Sequence, residues 1–374
     1  MQVKALRTVE EFHRCANFSE EVYRNHPHWV PQDVQHLVKL LGGETASGLY
    51  SRIQAFWVED GDQILGTVTA VIDERYNQHW NERTGHLLLF EALPDQEAAV
   101  NLLIRSACDW LREQGSQAAR WAMLIGWQIP LTIDAYEELP TFLHTYNPAY
   151  YHSYIKDAGF VTERGAVQYQ VQFTTELASR YQQMVERAVQ SGVRLRPMDF
   201  DHLEKETALL TELFNETFAQ HWGMNPITEQ VMHELTVELK DFLVPDFSWF
   251  AEADGQTVGF VYSLPDLNQA LHRLRGREIA EYFPEFQQAL AEINHGILLT
   301  IGVKRSHRGR GINLALAASS YLAMIERGYQ TGSYTIVLDD NWPSRRTAEK
   351  LGCRVTRNFN IYHKEFGGLP QREV

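Results

Sequence analysis

Cysteine is scarce in this chain: Cys15, Cys108 and Cys353 are the only three in 374 residues, and they stand far apart. An odd, scattered set gives neither a disulfide framework nor zinc-ligand spacing, so reduced, buried thiols are expected and no metal site. Long apolar runs are lacking as well. Although 44% of the chain is hydrophobic, no stretch approaches the roughly 18 consecutive apolar residues of a membrane-spanning helix. Met1 to Glu11 mixes charges of both signs and lacks the apolar run of a signal peptide. That reads as a cytoplasmic chain without membrane insertion. Positive charge is in deficit, with 34 Lys and Arg against 48 Asp and Glu, a formal net charge of −14. Broad binding to a phosphate backbone needs the opposite balance, so no nucleic acid is expected as a partner, tRNA included.

What is present is a plan written twice. The length suits two ordinary domains. Phe56 to Gly66 reads as strand, turn, strand, and so does Trp249 to Gly259, each turn holding an Asp-Gly pair. An apolar run and an amphipathic helix follow in each half: His86 to Phe90 with Ala98 to Gln114, and Gly296 to Val303 with Asn313 to Arg327. Further apolar runs come at Trp121 to Trp127 and Tyr334 to Leu338. Each half then reaches Asn, a helix and Gly, at Asn147 to Gly159 and Asn341 to Gly352. Between the halves, Leu177, Tyr181, Met184, Val185 and Ala188 have helical spacing, which suggests a helical linker.

The local exception to the acidic composition is Lys304, Arg305, His307, Arg308 and Arg310, within seven residues. They follow an apolar strand and lead through Gly309 and Gly311 into a helix. The first turn of a helix carries unpaired N–H groups and the positive end of its dipole. Glycines let anionic oxygens approach those groups. The segment therefore suits a pyrophosphate. It fits neither G-x-x-x-x-G-K-[ST] nor G-x-G-x-x-G. A basic, solvated loop with two chance glycines is the plainer alternative. His233-Glu234 does not begin an H-E-x-x-H site, because position 237 is Val.

Arg308-Gly309-Arg310-Gly311-Ile312-Asn313 resembles the [QR]-x-x-G-x-[GA] signature of the GNAT acyltransferase superfamily, and Asn341 to Gly352 resembles its second motif. The resemblance covers about Val193 to Phe366. It implies an α/β (α+β) fold of two tandem GNAT-like domains, each a mixed central sheet flanked by helices. Residues 1–175 would be a degenerate copy without a CoA loop, 176–192 the linker, and 193–374 the N-acyltransferase domain. Acetyl-CoA or another acyl-CoA would be the co-substrate. Backbone at Ile301 and Val303 would pair with the pantetheine arm. Arg308, Gly309, Arg310, Gly311, Ile312 and Asn313 would hold the pyrophosphate, with Asn341, Ser344 and Arg345 nearby. The acceptor would be a small-molecule or peptide amine, and a homodimer is compatible with the pattern. In the first half, Glu91 to Glu97 has three carboxylates and no glycine, so no CoA is expected there. Tyr23 to Pro31, His221-Trp222-Gly223 and Pro265-Asp266-Leu267-Asn268 also resemble bacterial two-domain members of the superfamily.

Two departures bear on chemistry: Asn313 stands where the motif has Gly or Ala, and Ala348 stands where many relatives have a Tyr that protonates the leaving thiolate. Asp266 and Asn268 follow the strand Val258 to Leu264 and are candidates for the acyl site, or else caps of the next helix. His221 is a candidate base or a packed ring. Tyr334 and Tyr362 are candidate replacements for the missing phenol, or plain sheet aromatics. Asn147 to Tyr151 reads as a groove lining or a packed helix start. Direct attack in a ternary complex is the expected route, because no covalent nucleophile is evident and Cys353 reads as core. The alternative is a degenerate acyl-CoA-binding or scaffold protein.

Overall fold

The computed structural model describes residues 1–121, 130–144, 146–277, 279 and 281–367. In chain order the elements are β1 (Gln2–Ala5), α1 (Val9–Val22), α2 (Val34–Leu41), β2 (Ser51–Asp60), β3 (Gln63–Asp73), α3 (Glu74–Trp80), β4 (Thr84–Ala92), α4 (Glu97–Glu113), β5 (Ala118–Trp121), β6 (Leu131–Thr132) and α5 (Tyr151–Asp157). They continue with β7 (Val161–Gln172), α6 (Thr175–Gln190), β8 (Arg194–Pro197), α7 (Leu203–Phe218), α8 (Glu229–Val237), β9 (Trp249–Ala253), β10 (Gln256–Pro265), α9 (Asn268–Leu274), α10 (Phe283–Ala291), β11 (His295–Val303), α11 (Ile312–Glu326), β12 (Thr331–Leu338), α12 (Trp342–Lys350) and β13 (Arg354–Glu365). Of the expected run Trp121 to Trp127, only Trp121 is described; the rest lies outside the described residues.

The chain forms two compact units, Met1–Gly165 with Phe359–Val374, and Ala166–Asn358. In unit 1, β1, β2, β3 and β4 pair antiparallel, β4 pairs β5 in parallel, and β13 lies antiparallel to β5. In unit 2, β8, β9, β10 and β11 pair antiparallel, β11 pairs β12 in parallel, and β7 lies antiparallel to β12. The sequence division at 175 and 192 differs from this one. The apolar stripe of α6 is core rather than connector: Tyr181 and Ala188 are buried, Leu177, Met184 and Val185 pack against them, and the helix lies on α11. The chain crosses between units inside β7 and inside β13, which alternation and turn signals do not mark.

Local chemistry explains the frame. In β2 the period of two sends Phe56 and Val58 into one core and Ala55 and Trp57 into another. The β9–β10 hairpin closes on Asp254 and Gly255, both at positive φ. The parallel strand pairs need the helix after β4 or β11 to cross close to the sheet. A Cβ on Gly85 would overlap Leu111 of α4, and a Cβ on Gly296 would overlap Met324 of α11.

Candidate active site

In unit 2 the sheet forks. The parallel pairing of β11 with β12 runs from His295↔Thr331 to Leu298↔Tyr334. Beyond that point β12 continues against β7 through Val337↔Val167 and Leu338↔Ala166, while β11 continues against β10 to Gly259↔Val303. A register shift between Tyr262 and Ser263 puts one extra residue of β11, Leu299, at the parting of the strands. Leu299, Thr300 and Ile301 are half-buried between fully buried neighbours on either side. The β11 backbone from Leu299 to Val303 thus borders an opening.

The glycine loop lies at the open end. Gly309 and Gly311 have φ of 83° and 76°, a region that other residues enter only with strain. An added Cβ on either would meet nothing within 4 Å. The glycines are therefore needed for backbone conformation, and the space above them is free. Gly311 begins α11, and among the described residues no side chain caps that helix. Its first turn keeps the N–H donors that suit an anion.

The basic side chains are mostly engaged with the protein. Arg308 donates to the carbonyls of Val303 and Thr217, each at 3.1 Å, and so fastens the loop to β11 and α7. His307 and Arg310 share the Asp254 carboxylate, at 3.2 and 3.0 Å. Lys304 pairs with Glu216 at 2.9 Å. Asn313 turns sideways, donating to Thr347 of α12 at 2.7 Å, so its amide does not fill the loop. Backbone N–H groups, more than free Arg charge, are what this loop offers.

Asn341 caps α12 by accepting from the Ser344 N–H at 3.3 Å. Its Nδ2 lies 3.4 Å from His221 Nε2, bringing two of the predicted residues together. Tyr334, at the apex of the fork, is buried, and its hydroxyl lies 2.9 Å from the Ser344 hydroxyl. Burial pushes that phenol up to about 12, so it is a proton carrier at neutral pH. Arg345 donates to Tyr169 at 3.0 Å and to the Asp339 carbonyl at 3.1 Å. Tyr262, absent from the sequence reading, pairs with Thr300 at the fork. Burial raises its phenol pKa well above the usual range. Nothing in the sequence distinguishes it from the other sheet aromatics.

Asp266 and Asn268 sit elsewhere. Asp266 follows Pro265, which pairs with Gly296 at the closed end of the fork, and its N–H donates to the His295 carbonyl at 2.9 Å. From Gly296 to Val303 the strand covers roughly 23 Å, so these residues and the glycine loop lie toward opposite ends of β11. Asp266 Oδ1 accepts from the Asn268 N–H at 3.2 Å, a local bond to the first residue of α9. Tyr362 belongs to unit 1 and lies 2.6 Å from His152 Nδ1. Ala348 is fully buried in the core with Tyr321 and Cys353, and burial raises the Cys353 thiol to about 12. Among the described residues no group of His, Cys, Asp and Glu forms a metal cluster, and no helix is long and apolar enough to span a membrane.

A forked parallel pair leading into a glycine loop and an uncapped helix is the arrangement that the resemblance to the GNAT superfamily implies. Residues 208–353 match the acetyltransferase (GNAT) family. Over 374 aligned residues the chain is 25% identical to the bacterial ceramide synthase of Caulobacter vibrioides, covering 97% of each. Protein YghO of Escherichia coli is 21% identical over 356 residues, covering 93% of this chain and 91% of the relative. A solved tandem GNAT protein from the clavulanic acid biosynthesis pathway superposes with a TM-score of 0.56 at 10% identity, covering 99% of this chain and 100% of that one. The family match falls within unit 2, and the fold of the whole chain is that of tandem GNAT proteins; together with the acyltransferase-named relatives this supports an enzyme of the N-acyltransferase class.

Proposed function

We propose that unit 2 takes an acyl-CoA, with the pantetheine arm along β11 at Ile301 and Val303 and the pyrophosphate over Gly309 to Asn313. The acyl group passes directly to a primary amine held with it in a ternary complex. One observation carries this reading: β11 and β12 part after Leu298↔Tyr334, and the freed strand leads into an uncapped helix start through two glycines at positive φ. In this reading Arg308 and Arg310 orient the loop, and Asn341, Ser344 and Arg345 line the facing side.

The ceramide synthase name of the Caulobacter relative points to a long-chain amino alcohol as acceptor, because a ceramide is the amide of such a base. The family's own name points to acetyl. The reaction would take place in the cytoplasm, where acyl-CoA is available. The test is to incubate the purified protein with acyl-CoAs from acetyl to palmitoyl and with a panel of amines that includes a sphingoid base, following amide products by mass spectrometry. Amide formation that depends on both substrates supports the reading. Bound CoA without turnover on any amine would favour the acyl-CoA-binding alternative.

A further inference from the structure

We propose that His221 is the proton acceptor for the incoming amine, with its Nε2 facing the fork and its Nδ1 held by the backbone. The inference rests on the acyl-transfer reading above and names a catalytic group for it.

Four observations lead here. First, His221 follows the end of α7, whose Thr217 carbonyl accepts from Arg308 and whose Thr217 side chain packs on Gly302 of β11. Its N–H donates to the Phe218 carbonyl at 2.8 Å, and the ring meets the Phe218 ring edge-on at 5.6 Å, so the imidazole is held on two sides. Second, Nδ1 lies 3.1 Å from the Trp222 carbonyl oxygen. A carbonyl can only accept, so Nδ1 carries the hydrogen and Nε2 keeps the lone pair. A neutral imidazole in this tautomer is a base at Nε2. Third, Nε2 lies toward Asn341 Nδ2 at 3.4 Å, a contact long enough to yield to a better donor. Asn341 begins the helix after β12, so the histidine spans from the α7–β11 side of the fork to the β12 side. Fourth, the charged and titratable side chains on the surrounding elements have partners of their own. Glu212 and Glu216 of α7 hold Lys304, Arg308 is on two carbonyls, Arg345 is on Tyr169 and Asp339, and Tyr334 is on Ser344.

The proton balance is simple. The acceptor ammonium gives one proton to His221 Nε2. The freed amine attacks the thioester carbonyl carbon, the C–N bond forms and the C–S bond breaks. The second N–H proton compensates the thiolate, so CoA leaves as the thiol, and the proton on His221 passes to solvent.

Unit 1 supplies an internal control. His26 occupies the matching turn: its N–H donates to the Tyr23 carbonyl at 2.8 Å, and its ring meets Tyr23 edge-on at 5.6 Å. Its ring nitrogen faces a phenol, Tyr146, rather than an amide. The test compares His221→Gln and His26→Gln in the full chain, using the amine and acyl-CoA that the wild type turns over. Wild-type kcat/KM should fall as the pH is lowered, because a protonated imidazole cannot accept. His221→Gln should reduce kcat at neutral pH by about a hundredfold or more and replace that limb with a rate that rises with the ionisation of the free amine. Its CoA affinity by calorimetry should stay within about twofold. Imidazole added to His221→Ala should restore part of the rate, and His26→Gln should behave as wild type. A wild-type pH profile in His221→Gln, no rescue by imidazole, or an equal loss in His26→Gln would overturn the assignment. Absence of turnover in the wild type itself would instead overturn the acyl-transfer reading.

Discussion

In unit 1 the junction between β4 and α4 is sealed by phenols; in unit 2 the junction between β11 and α11 is a bare glycine loop. The frames on either side of those junctions correspond closely. Gly85 and Gly296 sit under the crossing helix, Leu87 and Leu298 are the last residues of β4 and β11 paired in parallel among the described residues, and Ala92 and Val303 end the strands. Yet the Ala92 N–H donates to Tyr151 at 2.8 Å, its carbonyl accepts from Tyr150 at 2.7 Å, and the Gln96 N–H at the start of α4 donates to Tyr154 at 2.9 Å. Three tyrosines at or beside α5 thus bond the backbone here, whereas in unit 2 the Val303 carbonyl accepts from Arg308 of the loop itself and no side chain caps the start of α11 among the described residues. Glu91 takes the place of Gly302, and its carboxyl accepts from Tyr151 at 2.7 Å. The comparison teaches that one frame can carry two different junctions, because in unit 1 phenols take up the backbone hydrogen bonds at the end of β4 and the start of α4.

The sharpest way to break the comparison is to abolish the one open junction. Gly311→Glu should weaken CoA binding by more than a hundredfold in calorimetry, since its carboxylate would stand against the pyrophosphate. The positive φ adds backbone strain of order 1 kcal/mol, so the variant should remain folded. Unchanged CoA affinity in a folded variant would remove the loop as the site. The same titration on the wild type should give one CoA per chain, and two equivalent sites would end the asymmetry.

The next effect concerns the sealed junction. Tyr151→Phe strips a donor from Glu91 and an acceptor from Ala92, both inside unit 1. It should cost about 1–3 kcal/mol of stability in denaturant unfolding, with CoA binding to unit 2 unchanged. A loss of CoA binding in a stable Tyr151→Phe would show that the phenols do more than seal.

Much of this was legible in residues and some was not. The repeat, both hairpins, the strand-loop-helix at Val303 to Asn313 and the Asn-to-Gly helices follow from turn chemistry and apolar period, which are local properties. The crossing inside β7 and β13 was not legible, because which sheet a strand joins depends on distant partners. Asn147 to Tyr151 showed hydroxyls and rings, but only the fold shows the phenols of Tyr150 and Tyr151 turned onto β4. His221 and Asn341 lie 120 residues apart, and their meeting is a consequence of the fork. Spacing does show that Asn313 begins a helix, but not that its amide leaves the loop for Thr347.

A smaller difference should appear with pH, and in opposite directions. The Glu91 carboxyl is enclosed between the Tyr151 and Tyr23 phenols, and burial raises it from the usual carboxylate range to about 7. The native state therefore binds its proton more tightly than the unfolded chain, and the Glu91 contribution to stability declines as pH rises from about 4.5 to about 7. His295 is buried between Thr331 and Ser333, and burial lowers it from 6.5 to about 4. Here the unfolded chain binds the proton more tightly, so its contribution declines as pH falls from 6.5 toward 4. Each effect should be no more than a few kcal/mol across its full window, since one pKa unit corresponds to about 1.4 kcal/mol. In paired denaturation curves, Glu91→Gln should gain on the wild type toward pH 8, and the penalty of His295→Asn should shrink toward pH 5. The opposite trend in either pair would contradict the corresponding assignment.

The smallest effect is expected at Asp266. By sequence it follows Pro265, which restricts the backbone before it, and it carries a carboxylate near the end of the strand that flanks β11. Those features would suit a group that attracts an ammonium. The structure gives the carboxylate other work. It accepts the Asn268 N–H, the residue is only 5% exposed, and its backbone is tied to His295 at the closed end of the fork. Seven residues of β11 separate that end from Val303, whereas Thr217 at the end of α7, four residues before His221, packs against Gly302. An Asn side-chain oxygen can accept the same local bond, so Asp266→Asn should keep stability within about 0.5 kcal/mol. It should also keep kcat, KM and the whole pH profile within about twofold, because that bond survives the loss of charge. The measurement is the pH dependence of kcat/KM for Asp266→Asn beside His221→Gln. If Asp266→Asn lost the acidic limb while His221→Gln kept it, the carboxylate would be the base after all, and the acceptor would have to approach from the closed end of the fork.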